Sequence, residues 1–214
     1  MPTKAEIQGA QGRLQRLLAR HGLLLLHDSK FPSATTCIAG APVPGSWWGH
    51  PQGKLIFEVL EGIEPTVAWA RLVLGKETLV HERLWPALVS AAESGQDWQL
   101  RGLKPDARRL LQRIRKAAAP IRTDGAPLSA GGRKLGVVAT ELERRLLACS
   151  HTEHTASGHH ARLLETWGAW AKRRGIPASR RPRPAEAIAA LSAPVLAWSG
   201  GRRLPGLLPW FDEA

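Results

Sequence analysis

Of the chain's 30 Lys and Arg residues, 19 lie between Arg101 and Arg183, a stretch that holds only 6 of its 18 Asp and Glu. The remaining 131 residues carry 11 basic and 12 acidic side chains, so the net +12 of the whole chain arises in this one segment. Unpaired cations do not enter a hydrophobic core. The segment therefore folds only with a broad solvated face, and amphipathic helices are the simplest way to supply one. A charge block of this size beside near-neutral flanks is an electrostatic footprint for an anionic partner, of which nucleic acid is the most common.

At 214 residues with 43% hydrophobic composition, the chain can bury one sizeable core or two small ones. Its N-terminal stretch has no continuous apolar segment, and the longest apolar run nearby is Leu23 to Leu26. Neither a signal peptide nor a transmembrane helix is predicted, which points to a cytoplasmic protein with no membrane partner. Cys37 and Cys149 lack CxxC spacing and read as two reduced thiols, which excludes a zinc finger. Nine Trp and no Tyr are unusual. Most such rings fill cores, and only exposed ones bear on recognition.

Taken in order, residues 4 to 20 read as an amphipathic helix and Leu23 to Leu26 as a buried strand. The Pro- and Gly-rich stretch from Phe31 to Pro51 reads as a long ordered loop carrying Trp47, Trp48 and His50. Gly53 to Gly62 reads as a short helix. Two β-rich runs, Thr66 to Leu74 and Glu77 to His81, flank Gly75-Lys76 as in a two-residue type II′ hairpin. A helix follows around Leu84 to Ala92. Pro105 to Ala118 is the clearest helix, with Ala107, Leu110, Leu111 and Ile114 inward and Arg108, Arg109, Arg113, Arg115 and Lys116 outward. Thr140-x-x-Glu143 reads as a capping box opening a helix to about Ala156, and a third helix gathers Leu163, Leu164, Trp167 and Trp170 before Lys172, Arg173 and Arg174. Residues 176 to 184, IPASRRPRP, read as an extended basic arm presenting Arg180, Arg181 and Arg183, followed by a short helix over Ala185 to Leu191.

The segment LKPDARRLLQRIRKAAAPIRTDG followed by TELERRLLACS resembles winged-helix and helix-turn-helix DNA-binding domains over roughly residues 101 to 150. That resemblance implies a later helix entering the major groove, with Arg144 and Arg145 on it, while flanking segments hold phosphates. The connection from Ala117 to Ala139 is longer than the tight turn of the pattern.

Two further constellations stand out. His151, Glu153, His154, His159 and His160 crowd one tract, and His151 with His154 and His160 would form a divalent-metal site if helical spacing brought them together. Structural histidines at a helix end are the plainer reading. His27, Asp28, Lys30, His50, Lys76 and His81 supply the parts for proton transfer or an amine nucleophile, with Trp47 and Trp48 as caps for a flipped base. No GxSxG, HExxH, Walker loop or GxGxxG joins them. The plainer reading makes Lys76 an exposed turn residue and His81 a cap.

The sequence thus predicts an α+β protein, mainly α, with a small β-hairpin. A near-neutral part (1–100) carries the candidate catalytic residues, a winged-helix-like basic part (101–175) binds nucleic acid, DNA being the leading class, and an arm and tail (176–214) follow. No cofactor is required beyond the divalent-metal option. A DNA-processing enzyme of glycosylase, lyase or nuclease type and a basic protein- or RNA-interaction module are the alternatives.

Overall fold

The computed structural model describes residues 1–124, 132–154 and 160–211, with the backbone alone for 152–154 and 160–161. It is α+β and mainly α, with two three-stranded antiparallel sheets. No helix among the described residues is long and apolar enough to cross a membrane.

The first helix, α1 (Lys4–His21), opens on a capping box. The Thr3 hydroxyl accepts from Glu6 N, and the Glu6 carboxylate accepts from Thr3 N. It is followed by β1 (Leu23–Leu25), α2 (Ala34–Ala39), a 3₁₀ turn at Trp47–Gly49 and α3 (Gly53–Ile63). The stretch read as a long loop thus holds a short helix. Strands β2 (Val67–Arg71) and β3 (Glu77–His81) complete a sheet in the order β1–β3–β2. Leu24, Val67 and Leu79 face α1 to α3, while Leu23, Leu25, Ala68, Ala70 and Val80 face the opposite core. Both faces are covered, which is why β1 reads as an unbroken apolar run.

The β2–β3 connection corrects the two-residue turn. Arg71 pairs with Glu77, leaving five residues between the strands, and Leu74 adopts φ 56°. Leu72 and Val73 turn inward and are fully buried, and Thr78 Oγ1 accepts from Val73 N. Burial of two aliphatic side chains outweighs two further ladder pairs.

Helices α4 (Trp85–Glu93) and α5 (Asp97–Leu100) lead to α6 (Pro105–Lys116), where Ala107, Leu110, Leu111 and Ile114 are buried as the periodicity predicts. A short β4 (Ile121–Arg122) and α7 (Leu135–Arg144) follow, then β5 (Cys149–His154) and β6 (His160–Glu165). This second sheet has the order β4–β6–β5. Its core joins α6, α7 and Leu164 of β6.

The helix predicted from Thr140 to Ala156 is therefore corrected at both ends. Thr140 sits inside α7, its hydroxyl donating to Gly136 O at 2.9 Å. The helix stops at Arg144 because Leu146, at φ 52°, closes a Schellman motif: Leu147 N donates to Leu142 O and Leu146 N to Glu143 O. Glycine normally occupies this left-handed position, so the sequence carries no stop signal there. Leu163 and Leu164 likewise belong to β6 rather than to a third helix, and the Ser157-Gly158 break lies outside the described residues.

Finally α8 (Trp167–Arg173) and α9 (Pro184–Trp198) pack on α4. Trp167, Trp170, Leu191, Val195, Leu208 and Trp210 share a core with Leu23, Val80 and Leu88. The expected free arm is docked: Ser90 Oγ donates to Pro182 O at 2.6 Å, and Arg181 pairs with Glu93.

Candidate functional site

The sequence-predicted cations divide into two groups. Arg108, Arg109, Arg113, Arg115 and Lys116 are exposed on the outer side of α6, where Arg108 Nε also donates to Leu103 O at 3.0 Å. Arg109, Arg113 and Lys116 fall at i, i+4 and i+7, one stripe of the helix. With Gln112, Ala117 and Ile121 they line an open groove of about 590 Å³ between α6 and β4. Among the described residues Arg113, Arg115 and Lys116 make no ion pair or hydrogen bond through their side chains. Arg144, Lys172 and Arg180 are also exposed.

The second group is already engaged. Arg145 Nη1 donates to the carbonyls of Trp98, Gln99 and Arg101 at 3.3, 3.2 and 2.7 Å, fastening the C-terminus of α7 to α5. The fully buried Gln99 returns the contact, its Nε2 donating to Arg145 O and to Ala92 O. Arg173 pairs with Glu165, and Arg183 with Glu186 at 2.5 Å. The Arg174 guanidinium lies 5.5 Å from the Trp85 ring and 5.7 Å from the Trp170 ring. Arg145, Arg173, Arg174, Arg181 and Arg183 thus each already have a partner within the fold.

A clamp outside the predicted set holds α6 and α7 together. Arg133 makes a bidentate contact with Asp106, at 2.7 and 2.5 Å, and reaches Glu141 at 2.6 Å. The Arg133 guanidinium holds the Asp106 carboxyl down to about 2, against a smaller opposing effect of burial, and the two carboxylates push the guanidinium up.

The candidate catalytic residues converge only in part. Lys76 Nζ lies 2.7 Å from Asp28 Oδ2, while Asp28 Oδ1 accepts from the amides of Lys30 and Phe31. Burial works to raise the Asp28 pKa, but Lys76 and the two amides outweigh it and hold the group below the ordinary carboxylate range. His27 Nδ1 is hydrogen-bonded to Thr35 Oγ1 at 2.9 Å. His81 lies at the far end of β3 and caps Arg83 N, and burial lowers its pKa. His50 Nδ1 accepts from Gln52 N. The single cleft expected for His27, Lys76 and His81 beside Trp47 is not formed. Register separates the two ends of β3, and the polar groups satisfy local backbone and each other.

The metal expectation also changes, because the tract is a hairpin rather than a helix. His154 pairs with His160 in backbone register, and their side chains, like His159, lie outside the described residues. His151 Nδ1 stands 3.6 Å from Glu165 Oε1. No group of three or more His, Cys, Asp or Glu side chains suited to a metal forms among the described residues.

A further cleft opens between β2 and β5, capped by the Trp47–Gly49 turn and α3, with a volume of about 430 Å³. Trp48 stacks on Trp47 with centroids 4.0 Å apart and remains 64% exposed. At the base is Glu143, 4% exposed, which accepts from Ser150 Oγ, from Arg71 Nε at 3.2 Å and from Arg162 Nη1 at 3.1 Å. Arg71 continues to Glu77 at 2.8 Å, and Arg162 to Gly136 O at 2.6 Å. The network joins both sheets and α7. One signal was available: Glu143 falls on the inward stripe with Ala139, Leu142 and Leu146, where a carboxylate needs a buried partner. Arg71 and Arg162 carried no such mark. Beside them, Cys149 donates to Glu165 O, and burial raises its thiol pKa well above the ordinary value.

Comparison of the chain with known protein families, with curated proteins and with solved structures finds no match in any of the three.

Proposed function

We propose that this protein binds nucleic acid, duplex DNA in the first place, through the outer face of α6 and the adjoining β4. The observation that carries the reading is the Arg109, Arg113 and Lys116 stripe beside a solvent-open groove, flanked by Arg108 and Arg115. Cations at this spacing follow a phosphate backbone, and each phosphate neutralised releases counterions.

The order of elements supports a winged-helix arrangement: helix α6, strand β4, helix α7, then the β5–β6 hairpin, with β6 central in the sheet. The reading differs from the sequence expectation in where the contacts lie. On α7, Glu141 and Glu143 are tied into ion pairs, and Val137 and Arg144 are its exposed side chains. Phosphate contact by α6 therefore dominates over base reading by α7, and affinity with little sequence preference follows.

The test is a fluorescence-anisotropy titration of the full chain with duplex DNA, duplex RNA and single strands at several salt concentrations. The expected result is preference for duplex DNA, with a log-log slope of about −0.9 per phosphate contact. A salt-independent affinity, or none at low salt, would remove the reading.

A further inference from the structure

The outer face of α6 is not uniformly cationic. Gln112 lines the groove between Arg109 and Arg113 in the chain and one turn before Lys116. Its side chain is exposed, and its amide makes no hydrogen bond among the described residues. Among the described residues that line the groove it alone is polar and uncharged. A carboxamide has no charge to set against a phosphate. It offers instead a donor and an acceptor side by side.

The position of that amide on the helix is as telling as its chemistry. Seven of the twelve residues of α6 are exposed, and the helix rests on the buried stripe of Ala107, Leu110, Leu111 and Ile114. At about 100° per residue, Gln112 falls almost opposite that stripe, with Arg108 and Arg115 to one side and Arg109 and Arg113 to the other. Cations therefore flank the outermost residue of the helix. An α-helix with its side chains is about 10–12 Å across, and the major groove of B-DNA, about 12 Å wide, admits one. In that placement the flanking cations meet the two phosphate backbones and the residue between them meets base edges.

The rest of the groove narrows the choice of base. Beside the amide its lining is apolar, formed by Ala117 and the half-buried Ile121 of β4. In the major groove an A·T pair presents the adenine N7 acceptor and N6 donor, which a Gln amide contacts bidentately, and the thymine C5-methyl group, which takes apolar contact. A G·C pair presents two acceptors on guanine and no methyl group. One arm of the amide is then left without a partner, and the apolar lining without a contact. The major groove of duplex RNA is too deep and narrow for side chains to read, so this chemistry belongs to DNA.

We propose that Gln112 reads an adenine of an A·T pair in the major groove, its Oε1 accepting from N6 and its Nε2 donating to N7, with Ala117 and Ile121 against the thymine methyl. The inference rests on the duplex-DNA reading of this face and adds to it a specificity-determining residue. The cations fix where the backbone lies, and the amide selects one base pair. Selection of a single pair keeps the overall sequence preference small.

The experiment is an anisotropy titration of the full chain with three duplexes of equal length: one of A·T pairs, the same with 7-deazaadenine for every adenine, and the same with deoxyuridine for every thymidine. The first exchange removes only the N7 acceptor and the second only the methyl group. The parent is expected to bind the 7-deazaadenine duplex about tenfold more weakly than the A·T duplex, and the deoxyuridine duplex about threefold more weakly. Gln112→Ala, at an exposed helical position that alanine suits, is expected to bind the A·T and 7-deazaadenine duplexes alike. Its salt slope is expected to equal that of the parent, because no phosphate contact is lost. A parent protein indifferent to 7-deazaadenine, or a Gln112→Ala variant that still discriminates, would overturn the proposal while the salt-dependent duplex affinity leaves the broader reading standing. Absence of duplex binding at low salt would remove both.

Discussion

The outer face of α6 and the stretch from Lys172 to Arg183 are alike in composition and opposite in use. Both are rich in Arg. On α6 the side chains of Arg113, Arg115 and Lys116 make no ion pair or hydrogen bond among the described residues, along a helix whose inner stripe is buried. In the later stretch Arg173, Arg181 and Arg183 meet Glu165, Glu93 and Glu186, and Arg174 lies against two Trp rings. A count of charges measures the field of a segment. Whether a cation is available to a phosphate depends on what the fold has already placed beside it.

The comparison is tested most strongly by two matched triple variants. Replacing Arg109, Arg113 and Lys116 by Ala is expected to weaken duplex binding about 500-fold at 0.1 M salt and to make the log-log slope shallower by about 2.7, the effect of losing three phosphate contacts. Replacing Arg180, Arg181 and Arg183 by Ala is expected to change affinity less than about threefold, because two of the three are held by carboxylates. Equal losses from the two triples in the same anisotropy assay would erase the distinction between the regions.

Arg145 sharpens the contrast within the basic segment itself. Arg145→Ala leaves the carbonyls of Trp98, Gln99 and Arg101 without this donor. A loss of about 2–3 kcal/mol in urea unfolding is expected, with duplex affinity of the folded protein within about twofold. A variant as stable as the parent would show that Arg145 belongs with the α6 group after all.

A smaller effect is expected at Asp106. Its folded pKa is depressed to about 2 by Arg133, so its contribution is complete above the ordinary carboxyl range and is lost as pH falls from about 4 toward 2. Asp106→Asn is expected to cost about 1 kcal/mol at pH 7 and to flatten the fall in melting temperature across that acid window. An unchanged acid profile would show that the clamp contributes nothing to holding α6 against α7. Smallest of all, Arg181→Ala is expected to lower stability by less than about 1 kcal/mol, read as a shift of the urea midpoint at constant slope.

Of the candidate catalytic set, the sequence brought together what is near in the chain or in the sheet: Asp28 with Lys30, and Lys76 across one strand pair. It could not exclude His81, because alternation along β3 does not reveal which end of the strand a distant side chain meets. The aromatic cleft was legible only as two parts, the Trp47-Trp48 pair and a misplaced Glu143. Its assembly depends on β2 meeting β5 across residues about 80 positions apart in the chain.

What the sequence determined by itself was local. The periodicity of α6, the capping of α1, the buried run of β1 and the basicity of one segment all follow from neighbours within a few residues, where spacing and propensity act directly. Tertiary structure decided the rest. Leu146 ends α7 in a left-handed conformation because its side chain is fully buried and Gln99 grips the adjoining carbonyl of Arg145. The β5–β6 hairpin forms where the sequence predicts helices, because Leu164 reaches the α6–α7 core and Cys149 the core beneath β2. The basic arm docks because α9 buries Ala187, Leu191 and Val195 against α4 and brings Arg181 to Glu93. Burial rewards contacts between distant segments, and a chain read residue by residue records only the polarity of each partner and not its address.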